Sequence, residues 1–346
     1  MFRKVLIFIL LLFPFAITAA GETVMDNPPG TFVKKAVKTA KTVDRYLEKR
    51  QRKQTTDTSY IFKPQEKWLF RTRSDVILTL LDFDRNHPAD VFDFSMDLKS
   101  NPRFRQHIGV GYRGVVLGFG IGIPFKNSDK ELSFKVYANQ AGGEITYGTI
   151  ESLKGTMNIG DVTYEMKPGN LLDRYLRVGA YYAFNWDRFS MPAAMSQSHI
   201  QRRSAGSPLA SFAFRMVWNT YPYERRHRLT PETKTQSFFI GVGGGYGYNW
   251  VPTEHWLLHI SATETIGLGA GSRIYFANDT YRYRERFLPL VTAVNAAVIY
   301  YYKRFYFGAF GTVDNLFIPS RERNLGEDLN LSMSRISGHL TVGVRL

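Results

Sequence analysis

From about Lys67 onward the chain repeats one pattern: apolar residues at every second position, with small or polar residues between them. Phe92, Phe94, Met96 and Leu98 alternate with Asp93, Ser95 and Asp97. Val115, Leu117, Phe119, Ile121 and Ile123 alternate with Val116, Gly118, Gly120 and Gly122. Leu176, Val178, Ala180, Tyr182 and Phe184 oppose Arg177, Gly179, Tyr181 and Ala183; Ala210, Phe212, Phe214, Met216 and Trp218 oppose Ser211, Ala213 and Arg215. A period of two marks an extended strand with one apolar face. In the last stretch, Ile336, Leu340, Val342, Val344 and Leu346 fall on one face, with Ser337, His339, Thr341 and Arg345 on the other. Repeated segments of roughly nine to eleven residues predict an all-β fold, a transmembrane antiparallel β-barrel of about 12–14 strands closed by the final one.

A soluble sandwich also alternates, because one face of each sheet is wet. Two features favour the barrel. Its last strands run for roughly 12 to 15 residues, whereas soluble strands are mostly about 5 to 6. Aromatic residues also gather at strand ends, as a membrane interface requires. Trp250 and Trp256 bracket one turn; Tyr300, Tyr301, Tyr302, Phe305, Tyr306 and Phe307 bracket Lys303-Arg304. Counting back from a final strand that ends in the periplasm makes Lys303-Arg304 and Val251 to Thr253 inner turns. Ala270 to Arg286 and Asn315 to Asp328 become outer loops, and the strands between Glu144 and Met166 leave the count open. Short inside and long outside is the expected asymmetry. Trp186 to Ser207 breaks it by joining two strands on the inner side through a long segment. Long connections of this kind are often functional. Met191, Pro192, Gln197, His199, Gln201, Arg202 and Arg203 within it are expected to form a lumen plug or a docking site for a periplasmic partner. A helical connector packed under the barrel is the plainer alternative.

Ahead of the strands, Arg3 and Lys4, the apolar run Val5 to Ile17 and the small residues Thr18-Ala19-Ala20 predict a signal peptide over 1–20. Residues 21–64 read as a periplasmic leader and 65–346 as the barrel. In the leader, Val33, Ala36, Val37, Ala40, Val43 and Leu47 recur at helical spacing among Lys34, Lys35, Lys38, Lys41 and Arg45. That is a short basic amphipathic helix, suited to a membrane face or a partner, or else a solvated cover for the barrel mouth. The formal net charge is +15. In an exported chain this points to anionic lipid, lipopolysaccharide or an acidic partner rather than nucleic acid. The absence of cysteine excludes disulfides and thiolate catalysis.

Candidate chemistry is sparse. His259-Ile260-Ser261 places an imidazole and a hydroxyl on one strand face, with His255 and Thr263 on the same side. A base within reach of a hydroxyl is the minimum for a serine nucleophile. The spacing is similar to the His-x-Ser pair of outer-membrane lipid A deacylases, which implies a lipid-directed acyl hydrolase as an alternative function. An orienting carboxylate is missing from that face, since Glu264 falls on the other. Arg177, Arg215 and Arg345 alternate away from lipid and are candidates for anion selection in a pore, or for pairing with Asp93 and Asp97 that closes it. Basic stretches at Tyr221 to Arg228 and Arg282 to Arg286 suit phosphate groups of lipopolysaccharide. The glycine runs lie within strands and precede no helix, so they are not phosphate loops. No cofactor is expected, and no metal: His255 and His259 stand roughly 13 Å apart along a strand.

The run Ala180-Tyr-Tyr-Ala-Phe184, followed by Ser190-Met-Pro-Ala-Ala194, Gln197-Ser198, Ile200-Gln201 and Ser204-Ala-Gly-Ser207, resembles an uncharacterised outer-membrane barrel family of Bacteroidetes-type Gram-negative bacteria. Thr58-Ser59-Tyr60-Ile61, Gly109-Val-Gly-Tyr-Arg113 and Gly243-Gly-Gly-Tyr-Gly-Tyr-Asn249 resemble its other stretches. The family is known only as a domain of unknown function, so the resemblance implies a signal peptide, a leader and a barrel but no catalytic residue. The expected function is a narrow or plugged pore in the outer membrane, or a scaffold for an anionic ligand or periplasmic partner. Both termini are expected in the periplasm, and the C-terminal strand is the segment offered to the barrel assembly machinery.

Overall fold

The computed structural model describes residues 56–86, 94–112, 115–123, 130–150, 153–159, 161–168, 172–221, 233–276, 279–285, 288–322 and 328–346. The expected signal peptide and basic leader helix, Asp93 and residues 222–228 lie outside them. Strands are β1 (Ile61–Phe62), β2 (Trp68–Asn86), β3 (Phe94–Ser100), β4 (Arg103–Tyr112), β5 (Val115–Ile123), β6 (Lys130–Val136), β7 (Ala141–Ile150), β8 (Leu153–Ile159) and β9 (Val162–Met166). They continue as β10 (Leu172–Ala183), β11 (Ile200–Gln201), β12 (Ala205–Tyr221), β13 (Thr233–Thr253), β14 (Trp256–Phe276), β15 (Asp279–Glu285), β16 (Leu290–Tyr302), β17 (Phe305–Glu322) and β18 (Asp328–Arg345). One helix, α1 (Met191–Met195), stands among the described residues.

Twelve strands close a ring of antiparallel neighbours: β2, β4, β5, β6, β7, β10, β12, β13, β14, β16, β17 and β18, which returns to β2. The closing ladder runs from Asp328 opposite Asn86 to Arg345 opposite Leu69. It finishes with Trp68 and Leu346 exchanging two main-chain hydrogen bonds of 2.9 Å. Closure leaves no unpaired edge within the ring, as a sheet in lipid requires. We call the end with Trp68 and Leu346 proximal and the opposite end distal.

The expected alternation is present around the ring. Phe104, Ile108, Leu117, Phe119, Ile260, Val298, Leu340 and Val342 point outward and are exposed. Arg105, Ser133, Thr146, Ser261 and Thr341 point inward and are buried. Aromatic residues line the proximal rim outside, with the Trp68 and Tyr112 rings tilted against each other at 4.7 Å and those of Trp256 and Tyr300 likewise at 4.9 Å. Lys303-Arg304 is the turn expected; the other turn is at Glu254-His255, just beyond Val251 to Thr253, so His255 is exposed there rather than facing inward.

The distal side departs from expectation. Ala270 to Arg286 and Asn315 to Asp328 are not simply loops: β14, β15, β17 and β18 extend through most of both stretches, and β15 pairs with β14 and β17. The strands between Glu144 and Met166 divide. β7 belongs to the ring, whereas β8 and β9 form a distal hairpin that continues the sheet outward from β3. The distal part of β2, Leu80–Arg85, pairs with β3; its proximal part, Trp68–Ile77, pairs with β4. A bulge at Leu268, which is 71% exposed, reverses the phase of β14, so Ser261 and Thr265 but also Ala270 and Ser272 face inward.

The interior has three layers. Distally, Leu81, Phe83, Met96, Leu98, Leu153, Phe239, Leu316, Ile318 and Leu331 form one buried apolar cluster. A charged layer follows. Proximally, two smaller clusters pack around the segment between β10 and β12, one through Ala193, Leu257, Ile299, Tyr301 and Tyr306, the other through Phe189, Met191, Tyr137 and Leu209.

Candidate functional site

Between the two apolar layers lies a cavity of about 230 Å³. Basic side chains on its wall are Arg71, Arg73, Lys135, Arg177, Arg215 and Arg335; the carboxylates are Asp75, Glu131, Glu144 and Asp314. Met191 and Met195 form part of its floor. Lumen glycines make room for the larger groups: a Cβ at Gly120 would fall into the His107 ring, and one at Gly148 would strike Tyr175.

Glu131 is the hub. Its Oε2 accepts from Arg105 Nη1 at 2.5 Å, Arg335 Nη2 at 2.9 Å and Tyr175 OH at 2.8 Å. Arg335 Nη1 in turn donates to the Tyr175 hydroxyl at 2.8 Å. Asp75 bridges Arg73 Nε at 2.7 Å and His107 Nε2 at 2.9 Å. Arg215 Nη2 meets Asp314 at 2.8 Å, and Lys135 meets Glu144 at 2.7 Å. Arg177 is less satisfied. Its nearest carboxylate oxygen, on Glu131, is 3.9 Å away, and its buried Nε has no partner. Arg177 and Arg215 thus reach the wall as their alternation implied. Arg215 pairs with Asp314 and Arg177 stands nearest to Glu131 without hydrogen-bonding it; Asp97 is exposed on β3. Arg345 lies elsewhere: its Nε donates to Gln197 O at 2.9 Å, and its guanidinium lies over the Tyr301 ring at 5.1 Å.

The long segment between β10 and β12 is ordered and buried. Ser190 caps α1, its Oγ accepting from Ala193 N at 3.2 Å, with Pro192 in the first turn where a missing N–H costs nothing. Gln197 then takes a left-handed φ of 54° and folds its Nε2 back onto Ala194 O at 2.8 Å. Tyr301 OH donates to Ala193 O at 3.1 Å, which ties α1 to β16. β11 pairs with β1, so residues 57–62 join this element; the expected leader boundary at residue 64 falls beyond them. Met191, Pro192, Gln197, His199 and Gln201 are buried in it, while Arg202 and Arg203 are exposed over the rings of Phe62 and Tyr60. Burial beside the cations Lys63 and Arg345 pushes the His199 imidazole down to about 3.

His259 and Ser261 meet on the lumen wall. His259 Nε2 is 3.1 Å from Ser261 Oγ, and its Nδ1 is 2.7 Å from Asn249 Oδ1 on the neighbouring strand, directly opposite in register. Ser261 lines the cavity. Asn249 lies on the adjacent strand β13, so no spacing within β14 marks it as the third group. Glu264 faces outward, as expected, and accepts from Thr292 Oγ1 at 2.7 Å. No cluster of metal-ligating side chains occurs among the described residues.

Residues 55–345 match the model of a family described as a domain of unknown function, DUF4421. Comparison with curated proteins gives no match. Among solved structures, the chain is similar to the outer membrane protease OmpT from Escherichia coli, at 9% identity and a TM-score of 0.40 over 82% of this chain and 98% of that one. It is similar to the toluene transporter TodX of Pseudomonas putida, at 10% and 0.34 over 85% and 92%. The outer membrane protein OprG from Pseudomonas aeruginosa gives 8% and 0.32 over 82% and 100%. These likenesses assign no activity.

Proposed function

The chain belongs to the DUF4421 family, and we propose that it is an outer-membrane barrel whose occluded lumen holds a small anion, with the proximal end in the periplasm. The signal peptide expected from the sequence and the lipid-facing exterior support the location. One observation carries the ligand reading: six basic side chains face the cavity against four carboxylates, and Arg177 has no carboxylate within hydrogen-bond distance. Excess charge in a low-dielectric interior is costly unless a counter-charge completes it. An anion of a few heavy atoms fits a volume of about 230 Å³. Long lumen arginines without the two seals would instead favour an open anion pore; the apolar distal cluster argues for the closed form.

The test is thermal unfolding of the full chain in detergent, with inorganic phosphate, sulfate or acetate compared with chloride at equal ionic strength. A bound anion at a hundredfold excess over its Kd adds about 2.7 kcal/mol. The midpoint should rise for at least one of these anions, and Arg177→Gln should remove the rise. Identical midpoints in all four salts would end the anion reading.

A further inference from the structure

The hydrogen bonds around Asn249 decide which way the His259–Ser261 pair works. Gln201 Nε2 donates its two hydrogens to main-chain carbonyls, Arg188 O at 2.6 Å and Arg203 O at 2.9 Å, with Tyr60 O nearby at 3.4 Å. Its Oε1 is therefore the acceptor, and it takes Ser190 N at 2.9 Å and Asn249 Nδ2 at 3.0 Å. Asn249 Nδ2 also donates to Ser190 O at 2.9 Å. Both acceptors demand the amide nitrogen, so Asn249 Oδ1 faces His259. That oxygen accepts, so His259 Nδ1 carries the proton, and Nε2 presents its lone pair to the Ser261 hydroxyl. The tautomer follows from the network. Asn295 Nδ2 sits 3.5 Å from Ser261 Oγ, a long contact from the strand on the other side.

We infer that Ser261 is a nucleophile, with His259 as its general base and Asn249 as the positioning residue, acting on a small ester that enters the lumen. Ser261 is only 2% exposed and faces inward, while Ile260 and Ala262 face lipid. The substrate is accordingly a small soluble carboxylic ester, not a membrane lipid. In the first step Ser261 Oγ bonds to the acyl carbon, its proton passes to His259 Nε2, and the alcohol leaves with that proton. Water then attacks the acyl carbon, giving a proton to Nε2; the bond from that carbon to Oγ breaks, Oγ takes the proton back from Nε2, and the acid leaves. Ester and water become acid and alcohol, and the pair is restored. Asn249 joins this site to the proximal segment through Ser190 and Gln201, so the segment that floors the cavity also fixes the base.

The inference shares with the anion reading the need for a reachable cavity, but not its charge; an uncharged probe separates them. Full-length protein in detergent is treated with diisopropyl fluorophosphate, and adducts are located by peptide mass spectrometry. Ser211 and Ser337 line the same cavity without a base at this distance and serve as internal controls. The expected result is an adduct at Ser261 forming at least about 100-fold faster than at either control, the scale of general-base assistance. The rate should fall as His259 is protonated on acidification. Ser261→Ala should give no adduct there, and His259→Gln should slow labelling to the control rate. Should His259→Gln fail to fold, the pH dependence of the wild-type rate carries the same information. Labelling of Ser261 no faster than the controls, or none at all, overturns the nucleophile. If phosphate still raises the unfolding midpoint in that case, the anion reading stands alone.

Discussion

Glu131 is 6% exposed, and three guanidinium groups, from Arg105, Arg177 and Arg335, converge on it from three other strands. A buried pair of this kind adds little net stability over an apolar equivalent, but removing one partner strands the others. Glu131→Gln leaves Arg105 and Arg335 without their carboxylate, and should cost about 3 to 5 kcal/mol in the unfolding free energy. Denaturant unfolding in detergent measures this, and a loss below about 1 kcal/mol would show that the layer is solvated rather than dry. The inward direction of Arg177 and Arg215 was legible, because alternation forbids a charge on the lipid face. Their partners were not. Arg335 reaches Glu131 across more than two hundred residues of chain, a pairing set by ring closure and not by any local pattern. Asn249 stayed hidden for the same reason: it meets His259 only through the β13–β14 register.

At the scale of elements, the proximal segment holds a titratable group. His199 is 5% exposed, neutral, and flanked by the positive charges of Lys63 and Arg345, with Ser198 Oγ 3.1 Å from its Nδ1. Released from the fold it takes up a proton near its ordinary 6.5; in place it does so only at about 3. The contribution is therefore intact above about pH 6.5 and is lost as pH falls from there toward about 3, by about 1.4 kcal/mol per unit. The hydrogen-exchange protection factors of residues 190–201, which correct for the slower intrinsic exchange in acid, should fall between pH 7 and pH 5, and His199→Gln should flatten that dependence. An equal fall in the variant would place the titrating group elsewhere. The sequence marked this segment by its length alone. The distal strand extensions went unmarked because, once clear of lipid, an outward face no longer needs apolar residues. The ladder of hydrogen bonds continues there while the period-two signal stops, as along Arg321 and Glu322 opposite β18 and β15.

For the whole molecule, the ring of 12 strands was within the range that alternation predicted. What alternation does not specify is how the lumen is filled, since any small or polar residue satisfies an inward position. Two seals in series lead to a particular electrical behaviour. The full chain in planar bilayers should show no stable conductance steps. Deleting residues 193–204 should leave it closed as well, because Leu81, Phe83, Phe239 and Ile318 still occupy the distal interior. Steps from either protein would contradict the sealed lumen.

The two seals differ in kind, and the difference gives the barrel a direction. The distal cluster is assembled from side chains on nine of the twelve ring strands together with β3, β8 and β9, so most of it is part of the wall itself. The proximal seal is one continuous stretch of chain, fastened by a two-residue ribbon and a set of side-chain hydrogen bonds. The proximal seal is the one that can move as a unit while the cylinder stays whole. On the function proposed above, whatever occupies the lumen comes from and returns to the same compartment, and the barrel is a one-sided vessel, not a passage.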